Sequence, residues 1–251
     1  MPTILIPLPE SDFDPTETGV PWRVLTEHGH RVIFATPEGV AGAADERMLD
    51  GKGLGILAPM LRADRNGRAA FELMAQSPEF LAPIRWDAIN TDAIDVLLLP
   101  GGHAPGMRPY LESEELQAAV VECFRSDKIV AAICHGVLLV ARASASPEHS
   151  VLHDRRTTAL LKTQEMAAWT MTFVWLGDYY RTYEVCVEDE VTAALASPEH
   201  FIKGPAPVKR DSPQHPEIGF CVRDGRYLSA RWPGDAHRFA QELVAMLAER
   251  T

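Results

Sequence analysis

The chain has 251 residues, a net charge of −11 and an isoelectric point near 5.3, and 46% of its residues are hydrophobic. A chain of this length and apolar content can build one large hydrophobic core. The excess of negative charge excludes nucleic acid and anionic membranes as expected partners, because their phosphate groups would be repelled.

The N-terminal segments predict a strand, a helix and a second strand. Thr3–Pro7 is apolar, and Pro7 ends the strand. Residues 16–28 carry apolar side chains at helical spacing, and residues 30–36 form another apolar run. A β-α-β start of this kind favours a parallel sheet. Because Met1-Pro2-Thr3 leads into the first strand without a basic region, we expect no signal peptide.

Residues 37–92 show a less regular pattern. They contain glycine-rich turns, an apolar stretch broken by Pro59, a helical pattern around residues 68–75, and chain breaks at Pro78 and Pro83. We interpret this segment as a helical insertion that lies over the crevice of the fold, and not as a separate domain.

A strand over residues 94–99 is predicted to end in a glycine turn. The turn reads Pro100-Gly101-Gly102-His103. Paired glycines at the end of a strand let the backbone approach a ligand and direct N–H groups at it. We therefore expect Gly101 and Gly102 to supply donors to a developing oxyanion, with His103 at the mouth of the crevice.

A second buried strand, over residues 129–133, turns abruptly at Cys134-His135-Gly136 into a helical pattern. This resembles the nucleophile elbow of hydrolases, with the residue at the crest exposed to substrate. The start of a helix would favour the thiolate form of Cys134. The alternative is an inert core cysteine. Because a helical stretch separates the two strands, both should lie in one parallel sheet and meet at its crevice.

Three short motifs resemble the ThiJ/PfpI family of class I glutamine amidotransferase-like proteins. They are DPTETGVPW at residues 14–22, PGGH at 100–103 and AICHG at 132–136, in the order and spacing of the family. The resemblance implies an α/β fold, a flavodoxin-like three-layer sandwich with a parallel central sheet. It also implies that residues 1–251 form a single domain, with residues 37–92 as the helical cap of the larger branch.

The resemblance further implies roles for three residues. Cys134 is the nucleophile, Glu17 points at it, and His135 orients the site or acts as a base. A protonated Glu17 could donate a hydrogen bond to the thiolate or a proton to substrate, since two adjacent anions in a dry crevice are costly. Without the resemblance, the favoured interpretation of Glu17 is a carboxylate that caps the first helix. The corresponding interpretation of His135 is a solvated histidine at the start of a helix.

The sequence leaves open which acid serves as a third catalytic residue. In the heat-shock chaperone and glyoxalase III branch of the family an acid follows the cysteine after one further strand, and the aligned position here is close to Lys162, which departs from the pattern. Glu165 is the nearest acid and our candidate, and Asp154 is an alternative.

The C-terminal half predicts further elements. Strands are expected at residues 156–160, 183–187, 219–222 and 226–230, the last two joined by a hairpin at Asp224-Gly225, and helices at 163–176 and 235–249. The helix at 163–176 carries Met166, Trp169, Met171, Phe173 and Trp175. Methionines and aromatics are enriched in interface cores, so we expect a homodimer, although packing on the sheet would explain the same stripe.

The remaining sequence signals predict neither metal nor cofactor. Cys123, Cys134, Cys186 and Cys221 show no Cys-x-x-Cys spacing, which suggests free thiols in a cytoplasmic protein. The pair His28 and His30 lacks carboxylates at ligand spacing. No apolar stretch has the length of a membrane span.

The resemblance implies a cofactor-independent enzyme acting on a small carbonyl compound. The expected reaction is of the glyoxalase III type, in which a 2-oxoaldehyde and water give a 2-hydroxy acid. The alternatives are a redox-sensing or chaperone-like stress protein that uses the same cysteine, and an amidase or other hydrolase of unknown substrate.

Overall fold

The computed structural model describes residues 1–146 and 149–249. Its strands are β1 (Thr3–Pro7), β2 (Ser11–Phe13), β3 (Arg31–Thr36), β4 (Ala43–Ala44), β5 (Ile84–Arg85), β6 (Val96–Leu99), β7 (Ile129–Ile133), β8 (Ser144–Ser146), β9 (His149–Ser150), β10 (Cys221–Asp224) and β11 (Tyr227–Ala230). Its α-helices are α1 (Pro15–Glu27), α2 (Glu46–Asp50), α3 (Ala58–Leu61), α4 (Arg65–Met74), α5 (Pro78–Leu81), α6 (Arg108–Leu111), α7 (Glu114–Arg125), α8 (Gly136–Arg142), α9 (Lys162–Leu176), α10 (Val187–Ala193) and α11 (Ala236–Ala248).

The central sheet has the order β10-β11-β7-β6-β1-β3-β5. Every neighbouring pair is parallel except β10 and β11, which form the antiparallel hairpin predicted at Asp224-Gly225. The middle strands β6 and β7 are buried along their whole length, as expected for strands covered by helices on both faces. The α/β flavodoxin-like fold with helices on both sides of a mostly parallel sheet is thereby confirmed.

The helices pack in two groups. Helix α1 lies between α4 and α11, and α8 packs against α6, α7 and α10. One hydrophobic core includes residues from β1 through α11. The sheet therefore holds the carboxyl ends of β1, β6 and β7 together at one edge, where the sequence places the ThiJ/PfpI-like motifs.

Two predicted strands are not formed. Residues 156–160 make only an isolated bridge between Thr157 and Phe201, because β10 already occupies the outer edge of β11. The Thr158 N–H instead donates to the Ser229 hydroxyl at 3.0 Å. Residues 183–187 bend before α10, and the Val187 N–H donates to a Glu165 carboxylate oxygen. Side chains take the place of strand partners in both segments.

Residues 37–92 do not act as one cap. Phe71 of α4 and Phe80 of α5 form an aromatic cluster with Phe13 and Phe34, and β5 extends the main sheet. That part of the segment belongs to the body of the fold. Only residues around α2 and α3 reach over the sheet edge, where Met48 and Leu54 pack with Tyr180 and α9.

Candidate active site

Cys134 lies at the crest of a sharp strand-to-helix turn. Its N–H still donates to the Ala230 carbonyl at 3.0 Å, but its own φ is 59°, in the left-handed region. Such a conformation costs a non-glycine residue about 1–3 kcal/mol. A Cβ at Gly136 would overlap the Leu99 carbonyl oxygen, so only glycine lets α8 begin this close to β6. The geometry is that of a nucleophile elbow.

Glu17 approaches Cys134 from the first turn of α1. The Asp14 carboxylate caps the helix by accepting from the N–H groups of Thr16 and Glu17, and Glu17 Oε2 accepts the Gly101 N–H at 2.9 Å. A Cβ on Gly101 would lie 2.7 Å from Glu17 Oε2 and 2.9 Å from Cys134 Cβ. Gly101 therefore serves as the spacer that lets acid and thiol approach.

The N–H of Gly101, which we predicted to serve a developing oxyanion, donates to Glu17 in this structure. Among the described residues, no group accepts a hydrogen bond from the N–H of Gly102, whereas the N–H of His135 is directed at the Cys134 sulfur and lowers the pKa of that thiol against the larger effect of burial. The Gly102 amide is therefore the available donor to a developing oxyanion.

The hydrogen bonds of His135 define its tautomer. The Thr182 hydroxyl donates to the His103 carbonyl at 2.6 Å, so it must accept from His135 Nε2, 3.0 Å away. That leaves Nδ1 without a proton, facing Cys134 Sγ at 3.5 Å. Burial lowers the pKa of His135 to about 3, helped by the charges of His103 and Arg142. His135 is thus neutral, and its acceptor nitrogen Nδ1 faces the Cys134 thiol.

Protonation of Cys134 differs from the sequence-based expectation of a thiolate, whereas that of Glu17 agrees with it. Burial, and then the charges of Glu17 and Asp14, raise the pKa of the Cys134 thiol well above its usual value. The seven-residue helix α8 does not offset these effects, so the resting form is a thiol. Burial and the Asp14 charge likewise raise the pKa of Glu17. Since Oε2 accepts from Gly101, a proton on Glu17 belongs on Oε1, which is buried and makes no hydrogen bond of standard geometry.

His103 lies in the wall of the site. Its ring stacks on Tyr180 with centroids 4.3 Å apart, and burial lowers its pKa. Nε2 is buried without a hydrogen-bond partner, 3.9 Å from an Asp45 oxygen. Its carbonyl positions Thr182, so His103 acts on His135 through that hydroxyl.

Glu165 lines the same cavity but does not contact His135. Its Oε2 accepts the Val187 N–H at 3.0 Å, while Thr182 occupies His135 Nε2. The triad position sought among the acids thus carries a threonine hydroxyl, in a segment that gave no sequence signal. Asp154 instead pairs with His153 in a different pocket, at 3.0 Å.

Thr182→Val is expected to lower kcat/KM by about 10-fold, because His135 then loses the partner that fixes its tautomer. Steady-state kinetics of the purified variant measure the loss. Thr182→Ser keeps the hydroxyl and should restore most of the activity. Equal losses in both variants would contradict the tautomer assignment.

Glu165→Gln is expected to change stability more than turnover. Burial raises the pKa of Glu165 from 4.5 to about 7, so the folded protein binds this proton more tightly than the unfolded chain does. Its stabilising contribution is present below pH 4.5 and is lost as the pH rises through about 7, on the order of 3 kcal/mol.

Urea unfolding between pH 4.5 and 8 measures this effect. The Gln variant should lose less stability across that range than the wild type does. The exposed Glu72→Gln on α4 is the matched control and should follow the wild type. Parallel curves for the wild type and Glu165→Gln would contradict the assignment.

The site opens into a cavity of about 520 Å³. Its floor carries Cys134 and Glu17, and its roof comes from α2, α3, α9 and residues 207–210. The lining residues are Asp14, Glu17, Met48, Pro59, Met60, Leu61, Gly102, His103, Cys134, Leu160, Gln164, Glu165, Ala167, Ala168, Met171, Tyr180, Pro207, Val208, Arg210, Trp232 and Pro233. Sequence reasoning missed Asp14, whose capping pattern was readable, and Tyr180 and Arg210, which carry no local signal.

The described chain contains neither a metal site nor a membrane-spanning helix. No three of its His, Cys, Asp and Glu side chains form a group that could hold a metal ion. Across residues 1–146 and 149–249, every helix is too short or too polar to cross a membrane.

Comparison with known proteins identifies the family. A family model described as ThiJ/PfpI family-like matches residues 8–205. The chain belongs to the ThiJ/PfpI-like family. This matched region contains all three motifs and both halves of the site.

Relatives of this ThiJ/PfpI-like protein include two from Schizosaccharomyces pombe. The uncharacterized protein C14C4.04 is 26% identical over 181 residues, 67% of this chain and 66% of that protein. The probable glutathione-independent glyoxalase hsp3103 is 24% identical over 164 residues, 64% of this chain and 56% of that protein. The matches thus span less than two thirds of these relatives. Glyoxalase III from Candida albicans shares the fold, with a TM-score of 0.67, 16% identity, and coverage of 97% of this chain and 96% of that one.

Proposed function

We propose that this protein is a cofactor-independent cysteine enzyme that converts a 2-oxoaldehyde into the corresponding 2-hydroxy acid. The observation that carries the proposal is that Cys134 and Glu17 line one cavity, while Nδ1 of the buried His135 lies 3.5 Å from the Cys134 sulfur. The names of two similar proteins, a probable glutathione-independent glyoxalase and a glyoxalase III, favour the same reaction.

The first step joins enzyme and substrate. Cys134 Sγ attacks the aldehyde carbon, the thiol proton passes to His135 Nδ1, and the carbonyl oxygen takes the proton of Glu17. A neutral hemithioacetal results, with Glu17 ionised and His135 protonated, a pair of charges that burial disfavours and that the later steps remove. The N–H of Gly102 stabilises negative charge on the oxygen during the attack.

The second step moves hydrogen within the substrate. The Glu17 carboxylate removes the proton from the former aldehyde carbon, which forms an enediolate, and the hydroxyl proton of that carbon passes to the neighbouring oxygen. Glu17 then returns its proton to the second carbon, which gives the thioester. One carbon is oxidised and its neighbour reduced, so no external oxidant is needed. In the hydrolysis of the thioester, Glu17 takes a proton from the attacking water and His135 returns its proton to the Cys134 sulfur, which regenerates the thiol.

Lactate formation from methylglyoxal tests the proposal. Purified protein should produce lactate in buffer without glutathione, with a panel of amides and esters assayed in parallel. No lactate, with hydrolysis of an amide or ester instead, would replace the proposal with the hydrolase alternative.

The redox-sensor alternative is less well supported. Burial and Glu17 raise the pKa of the Cys134 thiol, which disfavours its oxidation by peroxide in the resting protein. In the proposed enzyme the thiol loses its proton only during attack on a bound substrate, so the raised pKa weighs less against that function.

We further propose that the protein acts in the cytoplasm as a homodimer that uses α9. We place Trp169 outside the interface, because its indole N–H donates a hydrogen bond to Asp178 and its ring packs against the cluster of Met48, Leu54 and Tyr180. Val174, which is 79% exposed, and Phe173 lie on the outer side. Light scattering at micromolar concentration should give a dimer mass, and Val174→Asp should give a monomer. A wild-type monomer would contradict the proposal.

A further inference from the structure

The cavity above Cys134 is larger than a three-carbon aldehyde requires. Pockets of about 300–1,000 Å³ are typical for ligands of drug size, and this one measures about 520 Å³. Met60, Leu61, Met171 and Val208 give its upper wall an apolar surface. The site therefore offers room and apolar contact for a substrate body beyond the reacting carbonyl group.

One cation, Arg210, lines this apolar wall. Its guanidinium lies over the Trp232 ring, 5.4 Å from the centroid. Nη2 makes long hydrogen bonds to the carbonyls of Met60 and Arg62, at 3.4 and 3.3 Å. Nη1 is buried and has no hydrogen-bond partner. A buried guanidinium nitrogen without an acceptor is costly, and a ligand oxygen would satisfy it.

No carboxylate of the described chain forms an ion pair with Arg210. Its charge nevertheless reaches the floor of the site, where it lowers the pKa of Asp14 and of Glu17 against the larger effect of burial. Asp14 cannot leave to neutralise it, because its carboxylate caps α1. A cation without a direct ion pair among the described residues thus shares one cavity with the nucleophile.

We propose that the substrate of this site is an amphiphilic carbonyl compound that carries a carboxylate, which Arg210 binds. Arginine suits a planar carboxylate because its fork can donate two parallel hydrogen bonds. A single cation in an apolar wall neutralises one charge, which favours a carboxylate over a doubly charged phosphate. The aldehyde end lies at Cys134 and the apolar body lies along the methionines. The identity of the reacting group rests on the proposed function.

Matched aryl glyoxals test the role of Arg210. Initial rates, taken before either glyoxal modifies arginine, give kcat/KM for para-carboxyphenylglyoxal and for its methyl ester. The ratio of acid to ester should fall by about 10- to 100-fold in Arg210→Met, mostly through KM. Arg210→Lys should lose part of the ratio, and the control Arg62→Met none. An unchanged ratio in Arg210→Met, with both rates lowered equally, would overturn the inference. Arg210 would then serve only to hold the segment with the Met60 and Arg62 carbonyls in place.

Calorimetry separates this inference from the proposed function. Cys134→Ala cannot form a thioadduct, so phenylpropanoate and its neutral amide report on binding alone. Stronger binding of the carboxylate, lost in Cys134→Ala/Arg210→Met, supports the inference even if no glyoxal is turned over. Equal binding of acid and amide would overturn it even if the enzyme does produce lactate.

Discussion

Replacing Cys134 by alanine is expected to lower kcat/KM for a 2-oxoaldehyde by at least about 10³-fold, because no neighbouring group can form the covalent adduct. Lactate assays on purified variants measure the loss. Cys221→Ala, at a half-buried cysteine of β10, is the matched control and should retain activity within a few-fold. Activity retained in Cys134→Ala would exclude covalent catalysis by this residue.

The same position links catalysis to stability. Cys134 has a φ of 59°, which only glycine adopts without strain. Cys134→Gly should therefore unfold with a free energy about 0.5–1 kcal/mol higher than that of Cys134→Ala. Urea denaturation of both inactive variants compares them directly. A less stable glycine variant would argue against strain at the elbow.

Glu17→Gln is expected to lower kcat by about 10²- to 10⁴-fold, because an amide keeps the shape but cannot donate and recover a proton. The side-chain oxygen of glutamine can still accept from the Gly101 N–H, so the fold should persist and the circular dichroism spectrum should match that of the wild type. Glu27→Gln, at the exposed end of the same helix, is the control. A loss of less than a few-fold in Glu17→Gln would assign the proton transfers to another group.

Much of the fold could be predicted because its signals are local. The apolar strands β1, β3, β6 and β7 and the hairpin at Asp224 each follow from neighbouring residues. The motifs also located Cys134, Glu17 and His135, since the ends of adjacent parallel strands must meet. Hydrophobic periodicity could not show that segment 156–160 has no free strand edge beside it.

The errors within the site have a different physical origin. The use of the Gly101 amide by Glu17, and of the Thr182 hydroxyl by His135, depends on contacts between residues far apart in the chain. The raised pKa of Cys134 depends on burial and on two carboxyl groups that converge from α1. The position of Cys134 at the start of a helix predicted a lowered pKa, because that argument considers only the helix dipole. Long-range burial outweighs that effect here.

The most direct test of covalent catalysis is to measure the mass of the peptide that contains Cys134 during turnover. The protein is mixed with methylglyoxal, quenched in acid within one turnover and digested for mass spectrometry. Hemithioacetal and thioester have the same mass, so the account predicts that the peptide with Cys134 gains the mass of one substrate molecule, and that Glu17→Gln prolongs this adduct. Lactate production without any adduct on Cys134, or with the adduct on Cys123, Cys186 or Cys221 instead, would contradict it.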